Sequence, residues 1–543
     1  MRQLDQLYKR AASHMRSGLH PLWLLALALA VSGAMVVFWV TRSFGPGTEA
    51  DSATYLAAAR HLRMGHGFAD IDGSPLTIFP PGFPAAVAVF EWLGVGSLAA
   101  ARVLGVAAFG LLVAVVVIWT GRATSSLTLT AVIGVVTTLS VPLVGMASSA
   151  LSEPLFALLV ILGLVFLAAA VDSGRPRWVL AAAAVSGAAE LTRYTGIVLV
   201  PTGIVVLVLA WPGGTATRLR RALAFGGVAL APLILWLVRN DVASGVLFGE
   251  YRGRSSLTLL ASAKANFAAL GNWFSPASLP ATVRALLAVL LLALACAPVI
   301  VIAWGEQRGG RCGTATMALP AAVFVALYVP AMIAFQAATA LDPPPRFLLP
   351  AFAPLAVAVG AVLALGAKPA PVRGRRTSKD ALAVALAVAL AVAACLPRLA
   401  GFIETSQRTG LVPTPGTPAY STAAWRNSPL LDDLRSHPLV GHLWSDDPFV
   451  LSLRLGLVAS LTPERTYYRS PEPTDNQELQ DFVHDTEDSM PVFVIWTTRS
   501  SLPNYYTVED LRRAACLVSL RHFPDGDIYQ SCRSVVGPLV RKP

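Results

Sequence analysis

The sequence predicts a polytopic α-helical membrane protein with a small C-terminal α/β domain, and three observations carry that prediction. The composition is 55% hydrophobic and only 13% charged, with a mean hydropathy of +0.61, where a soluble globular chain is about a quarter charged. Apolar stretches of roughly 20 residues, the length that crosses hydrocarbon, recur along most of the chain. Basic residues then concentrate in every second connection: these segments hold 17 of the 42 Lys+Arg. That bias is the positive-inside pattern and sets the N-terminus inside and the C-terminus outside.

The elements follow in order. The basic start MRQLDQLYKRAASHMRSGLH leads into an apolar run from Pro21 to Val40. This run is long for a secretory signal and no soluble domain follows it, so it reads as a retained first span. Ten further spans are expected at 98–120, 127–146, 153–171, 178–191, 195–211, 222–239, 281–303, 315–338, 347–366 and 380–397, giving about 11 helices in a transmembrane domain over 1–398. The first outer loop runs from Thr41 to Pro80. Within it SATYLAAARHLRMG repeats its apolar residues on one face, which predicts a helix lying along the membrane surface. PPGFP at 80–84 ends that segment, and AAVAVFEWLG after it is too short to span, so it reads as interfacial or re-entrant. A second long outer loop is expected from Arg239 to about Pro280.

From 399 to 543 the pattern changes. Helix-like stretches (AAWRNSPLLDDLRSH, DPFVLSLRLG, NQELQDFVHDT) alternate with strand-like ones (LVGHLWS, MPVFVIWTT, ACLVSLRHF, DIYQSC), the sign of a small extracytoplasmic α/β domain. This tail holds 13 Lys+Arg against 17 acids, so the net charge of +11 belongs to the membrane domain and gives no argument for nucleic acid. Five cysteines are too few for a disulfide scaffold. Cys516 and Cys532 sit on two strand-like runs about a Pro-Asp-Gly turn, where either a disulfide or two buried thiols fits.

Charges near membrane depth are the candidate chemistry, because each costs roughly 2.5–3.5 kcal/mol at a helix centre on insertion scales. Glu49 and Asp51 follow the first span, Glu153 opens the fourth, Glu190 and Arg193 end the fifth, Arg239 ends the seventh, and Asp342 and Arg346 bracket the turn before the tenth. All are expected to face one aqueous layer. Arginine binds phosphate oxygens in bidentate fashion, while a carboxylate takes a proton from an attacking hydroxyl or holds a divalent metal. The mixture suits transfer of a group from a lipid phosphate to a hydroxyl.

The segments EADSATYLAAARHLRMGHGF, PPGFP, LSEPLFALLVILGLVFL, LTRYTGIVLVP, WLVRND and RFLLPAFAPL, in this order, resemble the GT-C class of integral-membrane glycosyltransferases. The similarity is to the bacterial branch related to protein O-mannosyltransferases and lipid A aminoarabinose transferases. It implies transfer of a sugar from a polyprenyl-phosphate donor to a cell-envelope acceptor on the outer face of the plasma membrane, usually with inversion. It makes Asp51, four residues before Tyr55, the candidate base, with Glu49 completing an acid-x-acid triplet. Glu153 matches a second acid that helps bind metal or orient the acceptor, and Tyr55, Arg193, Tyr194, Arg239 and Arg346 fall at donor-binding or structural positions. One departure is plain. The aminoarabinose transferases carry an acid and a lysine before the Pro-Pro pair, where this chain has Ile78 and Phe79. A divalent metal at Glu49, Asp51 and Glu153 is therefore left open, and no other cofactor is expected.

Each residue also has a plainer reading. Asp51 fits a helix N-cap, Glu153 followed by Pro154 fits a first helical turn, and the arginines fit helix-end anchors. His61 and His66 read as solvated loop residues, and Asp446 and Asp447 as a turn or cap. Arg252 and Arg254 are further phosphate-contact candidates. The competing functional classes are a lipid or glycan transporter and a non-catalytic assembly subunit.

Overall fold

The computed structural model describes residues 2–249, 257–274, 279–307, 313–339, 345–366, 378–414, 418–466, 473–487, 490–499 and 504–532. The membrane domain runs α1 (Arg2–Val40), α2 (Ala50–Arg63), α3 (Gly82–Trp92), α4 (Ser97–Thr124), α5 (Leu127–Thr138), α6 (Val141–Ala147), α7 (Glu153–Ser173) and α8 (Pro176–Glu190). It continues through a 3₁₀ turn (Tyr194–Val198) into α9 (Leu199–Ala210), then α10 (Thr215–Ser244), α11 (Leu259–Phe274), α12 (Ala281–Gln307) and α13 (Gly313–Ala338). A second 3₁₀ segment (Pro345–Ala351) enters α14 (Phe352–Gly366), and α15 (Ser378–Thr409) ends the domain. Helices occupy every segment expected to span. Among the described residues eight are long and apolar enough to cross a membrane, and α5 with α6 makes a pair bent by 53°, either a broken span or a re-entrant loop. Pro142 in the first turn of α6 explains the bend, since proline has no N–H to continue the ladder from α5. α1 packs along α4 through small residues, with Ala30 and Ala34 against Gly110.

Three elements differ from the sequence reading. α2 is not a helix lying free on a surface: Ser52 to Ala59 are all buried, because α3, α4 and the C-terminal domain cover it. The second long loop contains α11, an apolar helix packed on α12 and α13. Its Ser262 hydroxyl donates to Ile333 O at 2.8 Å, and its Asn266 side chain donates to Gln336 Oε1. α15 continues through Pro397 to Thr409, about a dozen residues past the expected end of the last span at 397. Proline is tolerated inside membrane helices because neighbouring elements satisfy the freed carbonyl.

The C-terminal domain consists of α16 (Ala423–Arg426), α17 (Pro429–Ser436), β1 (His442–Ser445), α18 (Pro448–Leu455), β2 (Ser460–Leu461), α19 (Gln477–Glu487), β3 (Val492–Thr497), α20 (Val508–Ala514), β4 (Leu517–Phe523) and β5 (Gly526–Ser531). Its five-stranded sheet has the order β2-β1-β3-β5-β4. β1 pairs in parallel with β2 and β3, and β5 is antiparallel to both β3 and β4. The expected helix over 423–437 is two pieces, because Ser428 caps a new start at Pro429. β2 and α20 were not expected, although Thr507 and Asp510 form a capping box that marks α20. A disulfide joins Cys516 to Cys532 across β4 and β5, with Cα atoms 5.4 Å apart.

Candidate functional site

The site forms where four chain segments meet at one end of the bundle. The loop after α1 is fixed first: Gly47 N–H donates to Ser148 O at 2.9 Å, and Gly47 O accepts from Ala150 N at 2.8 Å. α2 starts three residues later, at Ala50, and Ser52 Oγ accepts from Glu49 N at 3.1 Å. Glu49 thus sits at the N-cap of α2 and Asp51 in its first turn, where the helix dipole favours carboxylates. Glu153 opens α7 in the same way, followed by Pro154. Arg193 lies in the turn between α8 and the first 3₁₀ segment. That turn is tightly docked on α3, since a Cβ on Gly82 would lie 2.6 Å from Leu191 O. Arg346 heads the second 3₁₀ segment, which Tyr328 anchors by donating to Phe347 O at 2.8 Å.

These segments bring Glu49, Asp51, Glu153, Arg193 and Arg346 together. Arg346 pairs with Glu49, reaches Asp51 Oδ2 at 2.5 Å, and approaches Glu153 Oε1 with its Nε at 3.5 Å. Arg193 meets Glu153 Oε1 at 2.8 Å and donates to Ser152 Oγ at 2.9 Å. The two guanidinium groups flank the Phe347 ring at 5.1 and 5.4 Å. Tyr55 is buried behind them, with its hydroxyl 3.1 Å from Ser152 Oγ. Three acids therefore face two arginines, one negative charge in excess if all are ionised. Burial first, then the neighbouring Asp51 and Glu153, push the Glu49 carboxyl up to about 7 against the pull of Arg346.

Ionising Glu49 thus costs more in the fold than in the unfolded chain. Its folded value, about 7, lies above the usual 4.5, so the folded state binds the extra proton between those values and stability falls as pH rises across that window. The Glu49→Gln variant is expected to lack this fall. Melting curves of both proteins at pH 5 and pH 8 check it: the wild type should lose more stability than the variant on going to pH 8.

Tyr194 and Arg239 do not join the cluster. Arg239 donates to Leu76 O at 2.8 Å and Phe68 O at 2.9 Å, and lies 4.8 Å from the Trp236 ring centroid. Tyr194 donates to Thr77 O at 2.8 Å and accepts from Trp236 Nε1 at 3.1 Å. Both hold the first long loop in place, a job their helix-end positions did not reveal. Glu190 is fully buried at the end of α8, and neither of its oxygens has a hydrogen-bond partner. Arg252, Arg254 and Asp342 lie outside the described residues. Ser152, Tyr328 and Phe347 were missed; only Ser152 had a signal, its place before Glu153-Pro154. Phe79 packs on the Tyr55 ring at 4.6 Å, so the residue before the Pro-Pro pair here belongs to an apolar wall. Among the described residues no group of three or more His, Cys, Asp or Glu is arranged as a metal seat; the three acids converge on guanidinium groups instead.

The fold is similar to those of solved proteins. ArnT from Cupriavidus metallidurans, bound to undecaprenyl phosphate, matches with a TM-score of 0.58 at 16% identity, over 94% of this chain and 99% of that one. Its apo state matches with the same TM-score at 15% identity, over 94% and 98%. This is the GT-C fold. Within that GT-C fold, residues 79–238 match the family described as Dolichyl-phosphate-mannose-protein mannosyltransferase. The matched stretch includes Glu153 and Arg193, while Asp51 and Arg346 lie outside it. The archaeal oligosaccharyltransferase AglB from Archaeoglobus fulgidus, in complex with an inhibitory peptide and a dolichol-phosphate, aligns at 13% identity with a TM-score of 0.49, over 87% of this chain and 69% of that one. No curated protein matches the sequence. The chain is an integral, multi-pass membrane protein with a GT-C-like fold.

Proposed function

We propose that this protein is a plasma-membrane glycosyltransferase that moves a sugar from a polyprenyl-phosphate donor to a hydroxyl of a cell-envelope acceptor on the extracytoplasmic face. The observation that carries the reading is the unequal exposure of three neighbouring acids: the Asp51 side chain is 27% exposed, against 5% for Glu49 and 1% for Glu153. Asp51 is the acid an acceptor can reach. It takes the proton from the acceptor hydroxyl as that oxygen attacks the anomeric carbon. The bond from that carbon to the phosphate oxygen breaks, and polyprenyl phosphate leaves with the electron pair. Arg346 and Arg193 stand ready to bind the phosphate and its growing charge. Glu49 and Glu153 keep both guanidinium groups oriented before the donor arrives. Tyr194 and Arg239 support the loop over the site instead of binding phosphate.

The test gives purified protein in vesicles a panel of labelled undecaprenyl-phosphate monosaccharides with cell-envelope extract as acceptor. Covalent transfer of label to the extract is expected. Label that crosses the vesicle without covalent transfer supports a transporter instead, and neither outcome with any donor supports an assembly role.

A further inference from the structure

The segment that carries Glu49 and Asp51 is gripped from two sides. Beneath it are the Gly47 bonds to Ser148 and Ala150. Above it lies the start of the C-terminal domain: Tyr420 N–H donates to Thr48 O at 3.0 Å, and the Thr48 and Ser421 hydroxyls are 2.8 Å apart. The approach is so close that a Cβ on Gly47 would lie 2.6 Å from the Leu411 side chain. Tyr420 is 2% exposed, and its hydroxyl donates to Asp447 Oδ1 at 2.8 Å. The same oxygen accepts from Val450 N at 3.3 Å and so caps α18. α18 in turn lies on α2: Leu453 packs against the apolar cluster that includes Tyr55, Leu56 and Ala59, and Arg60 Nη2 donates to Ser452 Oγ at 3.1 Å. Asp447 therefore links, through Tyr420, to the residue before Glu49 and, through α18, to the far end of α2.

The sheet explains why this grip exists. β1 leads to β2 on one side and β3 lies on the other, so the carboxyl ends of β1 and β3 form a topological switch point, where sheets of this kind open a ligand crevice. Here the chain closes it. Asp446, at the end of β1, accepts from Thr497 N at 2.8 Å and Oγ1 at 3.0 Å. Arg499, beyond β3, donates to Ala424 O at 2.5 Å and lies 5.1 Å from the Trp425 ring. The crevice holds the chain's own segment around Tyr420 to Trp425.

We propose that Tyr420 is a positioning residue for the transfer reaction: seated on Asp447 and bonded to Thr48, it holds Glu49 and Asp51 against Arg346, so that the C-terminal domain completes the site. This rests on the glycosyl-transfer reading above. The test uses the full chain in nanodiscs with Tyr420→Phe, Asp447→Ala, Asp447→Asn and the Tyr420→Phe/Asp447→Ala double variant. It follows hydrogen exchange of residues 45–56 and turnover of whichever donor the wild type uses. Exchange in 45–56 is expected to rise about tenfold in Tyr420→Phe and Asp447→Ala, with little further rise in the double variant because the two act through one bond. Asp447→Asn keeps an acceptor oxygen and should stay near wild type, and β3 and β5 should exchange as before. kcat should fall about tenfold, more than any rise in KM for donor that follows from loosening Glu49 on Arg346, since the placement of Asp51 is lost more than ground-state binding. Unchanged exchange in Tyr420→Phe, or raised exchange with unchanged kcat, overturns the proposal. If Asp51→Asn is inactive while Tyr420→Phe is normal in both measurements, only the positioning role fails. If the wild type turns over no donor, the transfer reading fails with it.

Discussion

Asp51→Asn lowers sugar transfer by about 10²–10⁴-fold, the usual contribution of a positioned general base, while the protein folds and extracts as wild type. The substitution keeps the size of the side chain and an oxygen within reach of Arg346, which now meets Asp51 at 2.5 Å. What it removes is the capacity to accept a proton at the one acid of the three that solvent reaches. Both kcat and kcat/KM should fall together, because the proton moves only in the transition state. Initial rates over a range of donor concentrations check this, and full activity in the variant would sink the assignment. Glu49→Gln provides the contrast. That carboxyl is buried and holds Arg346, so its loss should affect donor binding and pH dependence more than the chemical step.

Arg346→Met has the second large effect, and it appears in stability as well as in binding. The guanidinium contacts three carboxylates, two of them almost wholly buried. Removing it leaves Glu49 without its cation and Glu153 with Arg193 alone. Breaking a buried ion pair from one side costs about 3–5 kcal/mol, so the melting temperature in detergent should drop clearly. Binding of undecaprenyl phosphate should weaken by at least about tenfold, the loss of one charge-assisted contact. Arg346→Lys should recover part of the stability and little of the binding, since an ammonium group cannot span Glu49, Asp51 and Glu153 together. Thermal unfolding and lipid-phosphate binding of the three proteins provide the check. A normal affinity in Arg346→Met would show that the phosphate does not rest on Arg346.

Much of the membrane domain was legible because its signal is thermodynamic. A helix that must cross hydrocarbon needs a long apolar run, and the runs from Pro21 to Phe352 announced themselves. α11 escaped because it is only 16 residues long, short for a span, and its Ser262 and Asn266 face Gln336 rather than water. The acids and arginines of the site were readable for a related reason: charge beside a membrane helix is costly enough to need a purpose. Their partners were less so. Nothing in the sequence pairs Arg346 with Glu49 across 297 positions, and nothing distinguishes Arg193, which joins the cluster, from Arg239, which holds Phe68 and Leu76. Tyr420 and Asp447 were the least visible. Asp447 read as a turn or helix cap, and it caps α18, but its second bond to Tyr420 exists only because the C-terminal domain folds back onto the loop after α1.

In the proposed function, the acid and arginine cluster is where the donor phosphate and the acceptor hydroxyl meet. The most direct test is an experimental structure of the protein in nanodiscs with undecaprenyl phosphate bound. The account predicts phosphate oxygens about 2.7–2.9 Å from guanidinium nitrogens of Arg346 or Arg193, with Asp51 open to solvent beside them. A phosphate bound away from both arginines, with Arg346 still enclosed by its three carboxylates, would contradict it.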